Sequence, residues 1–167
     1  MSRYFCSSCG EFHDDLPLSY GADAPYWYDV LAPEERDARA AISSDECVID
    51  DKHFFIRGLV EIPIVGSAEK FSWGVWVSLS ESNFDRACEL WNDPARVFEP
   101  AFFGWLSTNL PGYPQTLNLK ALTHSQAVGQ RPLIELEPTD HPLSVEQRNG
   151  ITMDRVKEIA EMMLQGH

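Results

Sequence analysis

Alternation of apolar and polar positions dominates the middle of the chain. Over residues 53–65, Phe54, Ile56, Val60, Ile62 and Ile64 fall on one face of an extended strand, and Phe55, Arg57, Leu59 and Glu61 on the other. Pro63 lacks an N–H for the ladder, so the strand ends there or lies at an edge. Residues 71–80 alternate more cleanly. Phe71, Trp73, Val75, Val77 and Leu79 share one face; Ser72, Gly74, Trp76, Ser78 and Ser80 share the opposite one. This is the pattern of an antiparallel sheet with a buried face and a wetter face. Residues 47–49 before an Asp50-Asp51-Lys52 turn, residues 116–124 and residues 132–137 read as further strands, about five in all.

Helical spacing appears in three places. Residues 32–41 read as a short helix, with Pro33 in the first turn and Glu34 and Glu35 at the positive end of its dipole. Ser80 or Ser82 caps a helix running to about Trp91, with Phe84, Ala87, Cys88 and Trp91 at helical spacing. Thr152 caps a final helix whose apolar stripe is Val156, Ile159, Ala160 and Met163. Between them, Pro94 and Pro100 bracket a break, residues 102–110 form a short aromatic stretch, and residues 111–114 and 138–142 are loops. Residues 1–24, punctuated by Cys6, Cys9, Gly10, Pro17 and Gly21, read as irregular. The expected architecture is one α+β domain over residues 1–167. Residues 1–24 form an irregular metal-knuckle segment. Residues 25–167 form the body, a meander-like antiparallel sheet of about five strands with helices packed on it.

Composition narrows the function. The chain has 167 residues, 44% of them hydrophobic, which suffices for one domain with a sizeable core. Its 13 basic residues face 26 acidic ones, a net charge of -13. That balance opposes nucleic-acid binding, which rests on cations, and repels an anionic membrane surface. No stretch approaches the length of a membrane-spanning helix, and the first ten residues lack the apolar run of a secretory signal. The expectation is a soluble cytoplasmic protein.

A reducing compartment turns attention to the four cysteines, because Cys patterns there bind metal or react more often than they form disulfides. Cys6-Ser7-Ser8-Cys9-Gly10 is the sharpest motif. Two thiolates with two residues between them grip one tetrahedral zinc from a tight turn, and Gly10 permits the positive φ such a turn often needs. Two more ligands are required, and the expected set is Cys6, Cys9, His13 and Cys47. His13 is near enough to fold back, and Cys47 begins a strand. Cys88, on the apolar side of a helix, reads as a small core residue. The alternatives are two surface thiols, or a redox pair. Redox chemistry ranks below zinc because Asp14 and Asp15 disfavour a thiolate and Pro17 stops the helix whose dipole would lower a thiol pKa.

The common catalytic motifs are absent: no dinucleotide or phosphate loop, no nucleophile elbow, no His-Glu-x-x-His. No catalytic residue is assigned. The wetter sheet face carries the candidate ligand-binding residues Arg57, Trp76 and His124; His141, after Asp140, is a separate acid–base candidate, with a plain turn as the preferred reading. Trp76, among Ser and Gly, is either a stacking platform or a residue covered by the C-terminal helix or the 101–115 loop; the covered reading is preferred. Pairs of acidic residues at 14–15, 45–46 and 50–51 would suit a basic partner.

The Cys6-x-x-Cys9-Gly10 start with His13 and Leu16-Pro17, Phe55-Ile56-Arg57-Gly58, Trp73-Gly74-Val75-Trp76-Val77-Ser78, Gly104-Trp105-Leu106, Tyr113-Pro114-Gln115-Thr116-Leu117 and Asp140-His141-Pro142-Leu143 together resemble a bacterial family, domain of unknown function 2199. The resemblance covers nearly the whole chain. It implies a small bacterial protein without an established activity and metal binding at Cys6, Cys9 and Cys47, and it supplies no catalytic residue. Three functions follow in order: a zinc-stabilised, non-enzymatic domain binding a protein or small ligand; an enzyme with a pocket on the polar sheet face, using His124 or His141 with Arg57 as anion holder; and an acidic inhibitor or immunity-type protein.

Overall fold

The structure is a computed structural model that describes residues 16–165 and, for their backbone, Tyr4–Cys6 and Glu11–His13. In chain order the elements are β1 (Tyr4–Cys6), β2 (Glu11–His13), β3 (Ser19–Gly21), α1 (Tyr26–Asp29), α2 (Pro33–Arg39), β4 (Ala40–Ile42), β5 (Glu46–Ile49), β6 (His53–Pro63) and β7 (Lys70–Leu79). They continue with α3 (Glu81–Glu89), a 3-10 turn (Pro94–Phe98), β8 (Phe102–Leu106), β9 (Lys120–His124), β10 (Leu133–Leu136), α4 (Pro142–Asn149) and α5 (Met153–Gln165).

The class is α+β, as the pattern predicts, but the sheet is larger and closed. Eight strands run in the order β3-β7-β8-β9-β10-β6-β5-β4, and β6 also pairs with β7. Strands β6 to β10 therefore close into a five-stranded barrel. Four of its seams are antiparallel, and the β6–β10 seam, at Leu59↔Leu133, is parallel. Five strands ordered up and down leave the first and last pointing the same way, so closure requires one parallel seam. Periodicity along the chain marks β6, β7, β9 and β10 but not that the ends meet.

Both long strands bury the face their alternation marks. Val60, Ile62, Ile64, Phe71, Trp73, Val75 and Val77 fill the barrel with Leu106, Ala121, Ile134 and Leu136. Helix α3 closes one end with Phe84 against Ile56, Leu79 and Phe102. Leu143 of α4 and Val156 and Ile159 of α5 close the other. Ser80, rather than Ser82, caps α3, its hydroxyl accepting the Asn83 N–H at 3.2 Å.

Four local expectations need correction. Residues 102–106 are a strand, whose inward Phe102 and outward Phe103 and Trp105 hide the alternation because both faces are aromatic. Residues 116–119 are not strand; β9 begins at Lys120. Pro142, read as part of a loop, opens α4, with His141 as its cap. Residues 1–24 are not irregular throughout: β1 and β2 pair as a hairpin, Cys6 opposite Glu11, and β3 adds to β7 in parallel.

The wetter face is not uniformly wet. Cys47, Ile49, Phe55 and Trp76 make a second core outside the barrel, under Ala22, Tyr28, Leu31 and Ala40. The cover over the Trp76 ring thus comes from the segment around α1, and Thr108 of the 101–115 stretch accepts the Trp76 backbone N–H at 2.9 Å.

Candidate functional site

A concavity of about 760 Å³ lies outside the barrel between the outward face of β6, the turn after α3 and the loop joining β9 to β10. Asp93 follows the groove residue Asn92 in the chain. Its carboxylate accepts the Ala95 N–H at 2.9 Å and so begins the 3-10 turn that carries Arg96. Arg96 is only 8% exposed. Its Nε donates to the Gln126 carbonyl at 2.7 Å, Nη1 to Trp91 at 3.0 Å, and Nη2 to Ala127 at 2.8 Å and Gln130 at 2.9 Å. The Trp91 ring stacks under it, 5.6 Å from centroid to Cζ. One cation thereby shapes the 125–132 loop around the groove.

The charge balance of the groove is unusual. Asp45 is paired with Arg131 at 2.9 Å, and Glu61 with Lys70 at 3.6 Å. Arg96 has no carboxylate partner among the described residues; its acceptors are all carbonyl dipoles. A guanidinium has five N–H donors and these bonds engage four, which leaves one Nη1–H uncommitted. Beyond Arg96 the groove narrows into an apolar cleft of about 20 Å³ between Ile56, Leu90, Phe102 and Pro132. The Thr123 hydroxyl lines that cleft, buried and without a hydrogen-bond partner. The volume is close to that of one water, and an unpaired buried hydroxyl costs about 1–3 kcal/mol.

Residues 5–151 match a protein family described as an uncharacterized protein conserved in bacteria, DUF2199. The chain belongs to that family. No curated protein and no solved structure matches it. In this DUF2199 chain the match ends where α5 is about to begin, so the groove lies wholly within the family region.

The DUF2199 chain disperses the residues singled out in its sequence. Trp76 is fully buried and its indole N–H donates to the Ala22 carbonyl at 3.0 Å, so it presents no ring to a ligand. Arg57 lies over that ring, 5.8 Å away, and donates to the Ser44 carbonyl and to Asp23. His124 is exposed on β9, 2.9 Å from Glu135. His141 is a structural cap: Nδ1 accepts the Leu143 N–H at 3.1 Å, so Nε2 carries the proton and faces the Pro114 and Gln115 carbonyls. In five concavities of the described surface, no two of Arg57, Trp76, His124 and His141 line the same one. None of these five concavities brings His124 or His141 together with Arg57.

The expected zinc set divides likewise. Cys9 and the side chains of Cys6 and His13 lie outside the described residues. Cys47 is fully buried in the apolar cluster with Ile49, Phe55 and Trp76, and burial pushes its thiol up to about 11. A thiolate is the ligand form, so this environment disfavours it. No group of three metal-ligating side chains occurs among the described residues. Strand β1 packs on α5, whereas Cys47 lies in the cluster beneath α1. No helix among the described residues is long and apolar enough to cross a membrane.

In the sequence Trp91 reads only as a member of the α3 stripe, and Arg96, Gln126 and Arg131 carry no functional signal. Asn92-Asp93-Pro94 signals a turn start, but nothing near Arg96 announces acceptors some thirty residues further on.

Proposed function

We propose that this domain is a non-catalytic binding module that takes a small ligand by an anionic group in the Arg96 groove. One observation carries the reading: Arg96 is a buried cation whose partners are carbonyl dipoles, while the acidic residues of the same groove each have a cation of their own. A carboxylate or phosphate at the groove floor would complete that charge balance, and charge-assisted bonds to guanidinium are the strong kind.

Thermal unfolding in acetate, citrate and inorganic phosphate at constant ionic strength tests it. At least one should raise Tm by mass action. Arg96→Lys should weaken the effect. Because that variant also loosens the 125–132 loop, Asn92→Trp, which fills the groove from its rim, provides a second readout. Ligand-independent Tm for all the anions, or an unchanged response in both variants, overturns the reading.

A zinc ion on Cys6 and Cys9 belongs to the same proposal as a stabiliser of the N-terminal segment, without Cys47. Support comes from the motif and from the β1–β2 register, in which Cys6 ends one strand and Cys9 precedes the other in sequence. Elemental analysis should find about one zinc per chain, lost in Cys6→Ser and retained in Cys47→Ala. Equal loss in both variants would return Cys47 to the ligand set, and a zinc-free wild type would remove the ion.

A further inference from the structure

The barrel wall made by β8, β9 and β10 lies open. The register lays its outward side chains in rows. Phe103 sits opposite Leu122 and Leu122 opposite Glu135; Trp105 sits opposite Lys120. Phe103, Trp105 and Leu122 are 45%, 40% and 39% exposed, and the two rings meet edge to face at 5.3 Å. Adjacent exposed aromatics on a rigid strand pair are unusual for a free surface, because they leave apolar area in water.

Beside them the wall dips into a depression of about 300 Å³. Its apolar sides are Phe103, Leu122 and Pro138, its acidic rim is Glu135 and Glu137, and Lys120 lines it beside them. Glu135 already meets the His124 ring. Glu137 has no ion pair among the described residues. Its backbone N–H extends the ladder to the Lys120 carbonyl at 2.9 Å, which holds the residue beside the sheet edge. The shape and chemistry suit a long cationic side chain. Its aliphatic stem would lie against the apolar sides, and its charged head would reach the two carboxylates.

We propose that this wall is a docking surface for a partner protein that inserts an arginine from a basic segment between Phe103 and the Glu135–Glu137 rim. Charge chooses the occupant. The chain carries a net charge of -13, which attracts a basic partner at long range and repels a second copy of itself. Nucleic acid, which also uses exposed aromatics, needs a cationic track, and here Lys120 stands among carboxylates. The proposal is independent of the Arg96 groove.

The test is fluorescence anisotropy with a labelled peptide of alternating Leu and Arg and its Leu/Glu counterpart, over a salt series. The Arg peptide should bind and the Glu peptide should not. The pair Glu135→Gln with Glu137→Gln should weaken binding by about tenfold or more, whereas Glu34→Gln with Asp37→Asn, the same charge change on α2, should alter it less than about twofold. Phe103→Ala should weaken it too, since it removes one side of the depression. Failure of the Arg peptide to bind, or equal weakening by both carboxylate pairs, overturns the proposal. So does a concentration-dependent dimer that disappears with Phe103→Ala, because the wall would then be covered by a second copy.

Discussion

The Tyr113 hydroxyl donates to Glu146 Oε1 at 2.6 Å, joining the loop after β8 to α4. The same hydroxyl accepts the Trp73 indole N–H at 3.1 Å, and Arg155 of α5 holds the other Glu146 oxygen at 2.9 Å. A barrel strand, a loop and both C-terminal helices thus meet at one phenol. Burial, and then the neighbouring Glu146 carboxylate, push the Tyr113 pKa well above its ordinary value. Tyr113→Phe removes the hydroxyl and leaves the Trp73 N–H unpaired. It should destabilise the fold by about 1–3 kcal/mol in denaturant titrations. A loss below a few tenths would show that water replaces the phenol.

Thiol reactivity should be low at both Cys47 and Cys88. Burial pushes Cys47 up to about 11; burial, then the bond to Glu46 Oε2 at 2.9 Å, pushes Cys88 up to about 12. Neither should react with a disulfide reagent at pH 8 in the native state, and both should react in guanidinium. Raised thiol pKa values favour the folded state while the thiols stay protonated. Their contribution is complete below the unfolded value of 9.0 and is lost as pH rises toward about 11 for Cys47. Cys47→Ala should therefore flatten the fall of stability over that window. Rapid labelling of native Cys47 at pH 8 would contradict its burial.

Gly104 marks the tightest seam. A Cβ there would run into the Ser78 carbonyl oxygen and lie 3.0 Å from Leu79 Cδ2. Backbone cannot step aside without stretching the β7–β8 ladder. Gly104→Ala should cost about 1–3 kcal/mol, read from the urea midpoint at unchanged slope.

His141→Ala should behave as the loss of a cap, at about 1–2 kcal/mol, with the 114–115 loop released. His141→Asn keeps an acceptor for the Leu143 N–H and should recover part of the loss. Equal stability of the wild type and both variants would sever the loop from α4.

The sequence makes individual strands legible where one face is apolar, as in β6 and β7, and helices where a cap precedes a stripe, as with Ser80. It hides β8, because Phe102, Phe103 and Trp105 blur the alternation that separates inside from outside. It hides α4, because His141-Pro142 looks like a turn until His141 is seen capping the next residues. Trp76 illustrates a further limit. Alternation places it on the outward face, yet that face is buried locally by a segment some fifty residues earlier in the chain. The Arg96 groove was not legible at all, since its acceptors are main-chain carbonyls whose positions depend on tertiary structure and not on residue type.

The parallel seam between β6 and β10 also has a kinetic side. Leu59 waits for Leu133, so the last barrel seam closes only after β7, β8 and β9 have formed or been bypassed. A nascent chain released as far as β9 presents an unpaired edge of β6 and an incomplete interior. Long-range pairings of this kind slow folding and lengthen exposure to other strands. Shortening the chain before Leu133 should therefore yield aggregates instead of a smaller barrel.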